Sequence, residues 1–239
     1  MNSEEELSRS WWKQFWRGRA RSLDGLSPEG PCAEGLSAEG LSLVRLEMPG
    51  WREEASGVDD LRVWHDSDED VLSLAVLASL GLPEIWNETA LQSYARDLAE
   101  SRHGGLIEVR VFTGTLGAAV GLIYKRLQMP AYIFTGMLLM PRQQDSQMWT
   151  VVAGERGTTG VREAVITAEL MNTGRLTIQD YESSWAKDPY DPTYCGVDRS
   201  VLRFASDDEC YDARFPDHPL SKVRRVLAAL PDCVTCPAR

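Results

Sequence analysis

The sequence predicts an α+β fold, an antiparallel β-sheet with helices packed on it. Three observations predict it. Short apolar runs with two-residue alternation recur along the body and are bounded by Gly, Pro, Asn and Asp. Helical periodicity appears in only a few longer segments. The turns between successive strands are short, which makes them antiparallel, because parallel neighbours need long crossovers. Helices then cover the sheet.

The folded body runs over residues 43–230. A strand at 43–48 ends at Pro49-Gly50, and strands at 61–65 and 71–77 form a hairpin around the acidic turn 66–70. Asn87 N-caps a helix whose stripe is Leu91, Tyr94, Ala95 and Leu98, and Gly104-Gly105 stop it. Four strands follow at 106–112, 119–128, 131–140 and 148–154, with turns at Met129-Pro130 and near 143–146. A second helix spans 159–172. Its inward stripe is expected to be Val161, Ala164, Val165 and Ala168, with Gly174 as its cap. Residues 175–197 read as irregular, anchored by Leu176, Ile178, Tyr181 and Trp185. A C-terminal hairpin of 200–205 with 209–215 is expected around Asp207-Asp208. A last helix spans 219–230, ended by Pro231, and residues 231–239 read as a loose tail.

Ahead of the body, residues 1–21 hold an amphipathic, Trp-rich helix. Ser3 and Glu6 form a capping-box pair. Leu7, Trp11 and Phe15 share a face, with Trp12 and Trp16 beside them. Residues 22–42 repeat Gly-Leu-Ser among prolines and glutamates, a linker composition.

The element order, with Met48-Pro49-Gly50-Trp51 after the first strand, resembles the Mog1/PsbP-like superfamily over residues 43–175. Some members are small adaptors or chaperones, and others are lipoproteins. The resemblance implies binding rather than catalysis and carries no catalytic residue over.

Composition narrows the function classes. The 239 residues are 43% apolar with a net charge of −11. That charge repels phosphate backbones and anionic membranes, so nucleic acid is not expected as a partner. The five cysteines are an odd number in a chain whose start is acidic where a signal peptide is basic. Reduced thiols and a cytoplasmic location are the expectation. No apolar run reaches the length of a membrane span.

Candidate sites are few. The turn Thr158, Thr159, Gly160 with Arg162 feeds a helix, so its amides and the guanidinium are a candidate anion site, or else only a strand-to-helix turn. It is not a P-loop, lacking the Lys-Ser/Thr pair. Cys233 and Cys236 form a C-x-x-C with no second knuckle, so no metal is assigned, though a mixed zinc site with Cys195 or Cys210 stays open. Asp66, Asp68 and Asp70 alternate as in a calcium loop, but Val71 replaces its glycine and Leu77 its bidentate glutamate. Tyr190, Asp191 and Tyr194 offer a binding edge on a stiff Asp-Pro turn, or only a loop. His65, His103 and His218 belong to no catalytic motif. No cofactor is expected.

The leading reading is a non-enzymatic, adaptor or chaperone-like module that binds a protein partner, with Trp11, Trp12, Phe15 and Trp16 as the contact. Those rings would otherwise fold back on the body or rest on a membrane surface. One alternative is an enzyme or small-anion-binding protein with its site near Thr158–Arg162 and Tyr190–Cys195. Another is an immunity-type inhibitor of a basic toxin.

Overall fold

The computed structural model describes residues 44–56, 61–77, 80–114, 117–141, 146–179 and 185–235. The Trp-rich helix and the linker lie outside the described residues. In chain order the strands are β1 (Arg45–Leu46), β2 (Arg52–Glu54), β3 (Leu61–His65), β4 (Val71–Leu77), β5 (Gly105–Gly114), β6 (Gly117–Gln128), β7 (Ala131–Pro141), β8 (Ser146–Gly154), β9 (Ala186–Lys187), β10 (Arg203–Phe204) and β11 (Val234–Thr235). The helices are α1 (Glu88–Glu100), α2 (Val161–Asn172) and α3 (Pro219–Cys233).

Seven strands form one antiparallel sheet in the order β2-β3-β4-β8-β7-β6-β5. Helix α1 follows β4, and the chain re-enters the sheet at the far edge as β5. The meander β5 to β8 then works back until β8 pairs with β4, Trp149 lying opposite Leu74 and Leu138. Trp149 stacks on Trp64 of β3 with ring centroids 5.6 Å apart.

Alternation along β7 sets the layers. Phe134, Leu138 and Met140 join the core that α3 completes with Leu220, Val223, Leu227 and Leu230. Gly136 shares that face. A Cβ there would meet Val223 Cγ1 at 2.6 Å and Leu227 Cδ1 at 2.9 Å, so glycine sets how closely α3 approaches. Thr135, Met137 and Leu139 point the other way and are also buried. Burial on both faces explains why β7 reads as one continuous apolar run.

Local chemistry fixes the helix starts. Asn87 Oδ1 accepts from Ala90 N at 3.1 Å. His218 Nδ1 accepts from Leu220 N at 3.2 Å, with Pro219 as the first residue of α3. At the end of α1, His103 turns the chain with a φ of 56°.

Three expectations are corrected. Residues 200–215 form no hairpin. They wind into 3-10 turns at Arg199–Val201, Ala205–Asp207 and Glu209–Arg214, while β10 pairs with β9. The cause is side-chain competition for backbone amides. Asp207 accepts from Phe204 N at 2.8 Å, and Asp208 from Cys210 N at 3.0 Å. Next, β1 does not join the large sheet but pairs with β11. The tail is therefore ordered through Thr235, and α3 continues past Pro231 to Cys233. Finally, the apolar stripe assigned to the buried side of α2 faces outward.

No described helix is long and apolar enough to cross a membrane.

Candidate functional site

Helix α2 is inverted relative to its sequence pattern. Its buried residues are Arg162 and Ile166. Val161, Val165 and Met171 are 44%, 39% and 38% exposed, and Ala164 and Ala168 are exposed between them. The inner side is polar because of what it faces. Arg162 Nε donates to Ser206 O at 2.8 Å, and Nη2 to Asp208 O at 2.9 Å. Nη1 donates to Asp212 Oδ1 and Ser221 Oγ, both at 2.9 Å. The guanidinium thus ties α2 to the 3-10 turns and to α3. Arg224 of α3 repeats the grip, donating to Asp207 O at 2.7 Å and to Glu108 Oε2 at 2.8 Å.

Beneath these turns Lys125 of β6 and Asp207 form an ion pair at 2.6 Å, both side chains fully buried. Burial pulls the Lys125 ammonium below its ordinary value, and the Asp207 carboxylate opposes that. The ammonium also sits 3.1 Å above the centre of the Phe204 ring.

At the N-terminal end of α2 lies a polar cleft of about 600 Å³, between the β8–α2 turn and the start of α3. Four of its charged groups hold one another. Arg156 pairs with Asp70 at 2.8 Å, and Lys222 pairs with Asp68 and, at 3.4 Å, with Asp70. Burial raises the Asp70 carboxyl to about 6.

Glu155, Glu163 and His218 converge beside the cleft with their ligand atoms within 4.8 Å of one another. Glu155 accepts from Gly160 N at 2.8 Å and Tyr132 N at 3.0 Å. Both Glu163 oxygens and His218 Nε2 are buried without a hydrogen bond. Burial pushes the Glu163 carboxyl up and the His218 imidazole down to about 3, so His218 is neutral. Because its Nδ1 accepts from Leu220, the proton of the neutral ring sits on Nε2. Nε2 then carries the proton, lies 3.9 Å from Glu155 Oε1 and offers no lone pair to a metal. No thiol joins this group among the described residues.

A second cavity, of about 410 Å³, opens at the C-terminal end of α2, where Gly174 turns the chain with a φ of 68°. Trp185 and Phe204, stacked at 6.0 Å, line it with Leu170 and Leu176. Its charged lining is Arg175, Lys187 and Arg203 against a single carboxylate, Asp208, which Arg203 pairs at 3.1 Å. The Cys210 thiol also lines it and is exposed.

The residues singled out from sequence fall as follows. Trp11, Trp12, Phe15 and Trp16 lie outside the described residues. Thr158 lines the polar cleft, and Thr159 Oγ1 donates to Pro130 O at 3.4 Å. Gly160, with a φ of 72°, gives its amide to Glu155, so the anion held at this turn is the chain's own carboxylate. Arg162 is buried in the network above. Tyr190 Oη bridges Val109, accepting from its N at 2.9 Å and donating to its O at 3.2 Å. Tyr194 Oη donates to Glu100 at 2.6 Å. Neither lines the cleft of Thr158, so the joint site considered from sequence does not assemble there. In the turn 66–70, Asp66 Oδ1 accepts from the amides of Asp68 and Asp70. Sequence reasoning missed Lys125, Asp207 and the outer face of α2. Lys125 within an apolar strand run was the one available signal.

No protein-family model matches the chain. No curated protein matches it either. Among solved structures the chain is similar to the Ran-binding protein Mog1p of Saccharomyces cerevisiae. The identity is 13% over 48% of this chain and 73% of that one, with a TM-score of 0.36. It is also similar to a mutant of protein Mog1, at 10% identity over 81% of this chain and 90% of that one, with a TM-score of 0.40. A third is LpqN of Mycobacterium tuberculosis, involved in cell envelope biogenesis, at 13% identity, 62% and 84% coverage and a TM-score of 0.30.

Proposed function

We propose that the body is a non-enzymatic protein-binding module that docks its partner on the outer face of α2. The observation that carries this reading is the inversion of that helix. Val161, Ala164, Val165, Ala168 and Met171 form one continuous apolar ridge in solvent while an arginine takes the buried side. The ridge extends about 15 Å along the helix axis. Small residues at 164 and 168 let a partner backbone approach closely, and ridges of this spacing pack against helices. The Arg162 network holds the face rigidly, which lowers the entropy lost on binding. The self-paired charges of the polar cleft support the same reading, since they face one another rather than a substrate.

The test is a photo-crosslinking amino acid placed at Val165 and, as a control, at exposed Arg225, in cells expressing the full chain. A discrete protein adduct from position 165 that is missing from position 225, and lost when Ala168→Glu is added, is the expected result. Equal adducts from both positions, or none from 165, would overturn the proposal.

A further inference from the structure

The cavity of about 410 Å³ at the C-terminal end of α2 is separate from the docking face, since none of Val161, Ala164, Val165, Ala168 and Met171 lines it. We propose that it is a binding site for a small organic phosphate, an apolar body carrying a phosphate monoester. The proposal goes beyond the protein-binding reading and stands without it.

The fold holds the walls in place. Arg175 N and Leu176 N both donate to Leu170 O, at 2.9 and 3.1 Å, so one carbonyl ties these lining residues together. On the other side Ala205 N donates to Trp185 O at 3.0 Å, and Arg203 of β10 lies directly opposite Lys187 of β9. That register puts two cations on one face with Cβ atoms about 5 Å apart, an arrangement that is repulsive by itself. Asp208 answers only part of it. It pairs with Arg203 Nη2 at 3.1 Å, and its other oxygen accepts from Cys210 N. Arg203 Nε is buried and makes no hydrogen bond. Arg175 and Lys187 are exposed and enter no ion pair among the described residues. In a chain with 36 acidic against 25 basic residues, this lining carries three cations to one carboxylate, an excess of two. A phosphate monoester brings a charge of about −1.5 to −2 at neutral pH and several acceptor oxygens, which match that excess and the unused donors. A carboxylate would leave one cation unanswered. Leu170, Leu176 and the stacked Trp185 and Phe204 offer the body of the ligand an apolar surface that inorganic phosphate cannot use. Such a floor lowers the local dielectric, so the head group is held by Arg175 and Lys187 more strongly than in open water.

Cys210 reports on the site in the native chain, because its exposed thiol lines the cavity, whereas the exposed Cys195 does not. The full-length protein is alkylated with iodoacetamide, and each cysteine is followed by mass spectrometry. The probes are 1-naphthyl phosphate and hexyl phosphate, with neutral 1-naphthol and inorganic phosphate as controls. At least one ester should slow labelling of Cys210 but not of Cys195, at concentrations on the order of tenfold below those the two controls need. The better ester names the body as aromatic or alkyl. In the Arg175→Gln/Lys187→Gln variant the advantage of the ester over 1-naphthol should disappear. Both residues are exposed, so the variant should keep the native circular dichroism spectrum and thermal midpoint. Equal protection by inorganic phosphate would mean an adventitious ion only and would overturn the proposal. So would equal protection by 1-naphthol, no protection by either ester, or an advantage unchanged in the variant.

Discussion

His218 and Asp70 are buried groups whose titrations oppose each other over the same acid range. The folded His218 titrates near 3 against an ordinary value of 6.5. Below 6.5 the unfolded chain takes up a proton that the native chain refuses, so this residue makes stability fall as pH falls toward 3. Asp70 titrates near 6 in the fold against 3.8 ordinarily. Between those values the native state holds a proton that the unfolded chain lacks, so stability rises as pH falls from 6 to 3.8. These two contributions nearly offset each other between pH 6.5 and 4. His218→Asn separates them, because asparagine can keep the cap on Leu220 N without titrating. Its stability relative to wild type should improve by roughly 3 kcal/mol as pH falls from 7 to 4. Urea unfolding of both proteins at a series of pH values checks this. A difference that stays constant with pH would mean that His218 is not held neutral by burial.

Among the elements, the contact of α3 with the sheet is set by one missing side chain. Gly136 lies under Val223 and Leu227, with Val151 Cγ1 at 3.0 Å from where a Cβ would be. Two of the three neighbours are β-branched and cannot rotate away freely. Gly136→Ala should therefore destabilise by about 1–3 kcal/mol despite its higher strand propensity, seen as a lower urea midpoint with an unchanged slope. Elements of this kind were largely legible in the sequence. The 61–77 hairpin, the four-strand meander and the cap of α1 by Asn87 depend on neighbours in the chain, and local patterning describes them well. Helix α2 was misread because two faces compete in its sequence. Val161, Ala164, Val165 and Ala168 compose the more apolar one, yet Arg162, Ile166 and Leu170 point in. What decides is the set of acceptors at 206–212, some 45 residues further on, which periodicity cannot report. The 200–215 segment failed for the same reason: Asp207 is drawn inward by Lys125, 82 residues earlier. The candidate site, being built from these long-range pairings, was correspondingly the least legible part.

At the scale of the whole molecule, the first and last described strands close on each other, and the body is complete only when its C-terminal residues are in place. Arg45 lies opposite Thr235 and Leu46 opposite Val234, and Glu47 N donates to Cys233 O at 2.8 Å. Val44 and Val234 are both buried in the core that α3 shares with the sheet, and Arg62 of β3 donates to Val44 O. This ladder is the most non-local pairing in the described chain, so its loop-closure cost falls late in folding. Truncation after Cys233 removes Val234 from the core and exposes Val44 and Leu46, and it takes from α3 only its C-cap, whose amide donates to Leu230 O. Burial of one such valine is worth about 1.5–3 kcal/mol, and the lost ladder adds to that. The truncated chain should therefore unfold at lower urea by roughly 2–4 kcal/mol. Its amides at 45–47 should lose hydrogen-exchange protection, while those of β7 and β8 remain slow. If the midpoint and the protection of 45–47 are unchanged, the closing ladder contributes nothing to the fold. In that case the body must be held by the seven-stranded sheet and α3 alone.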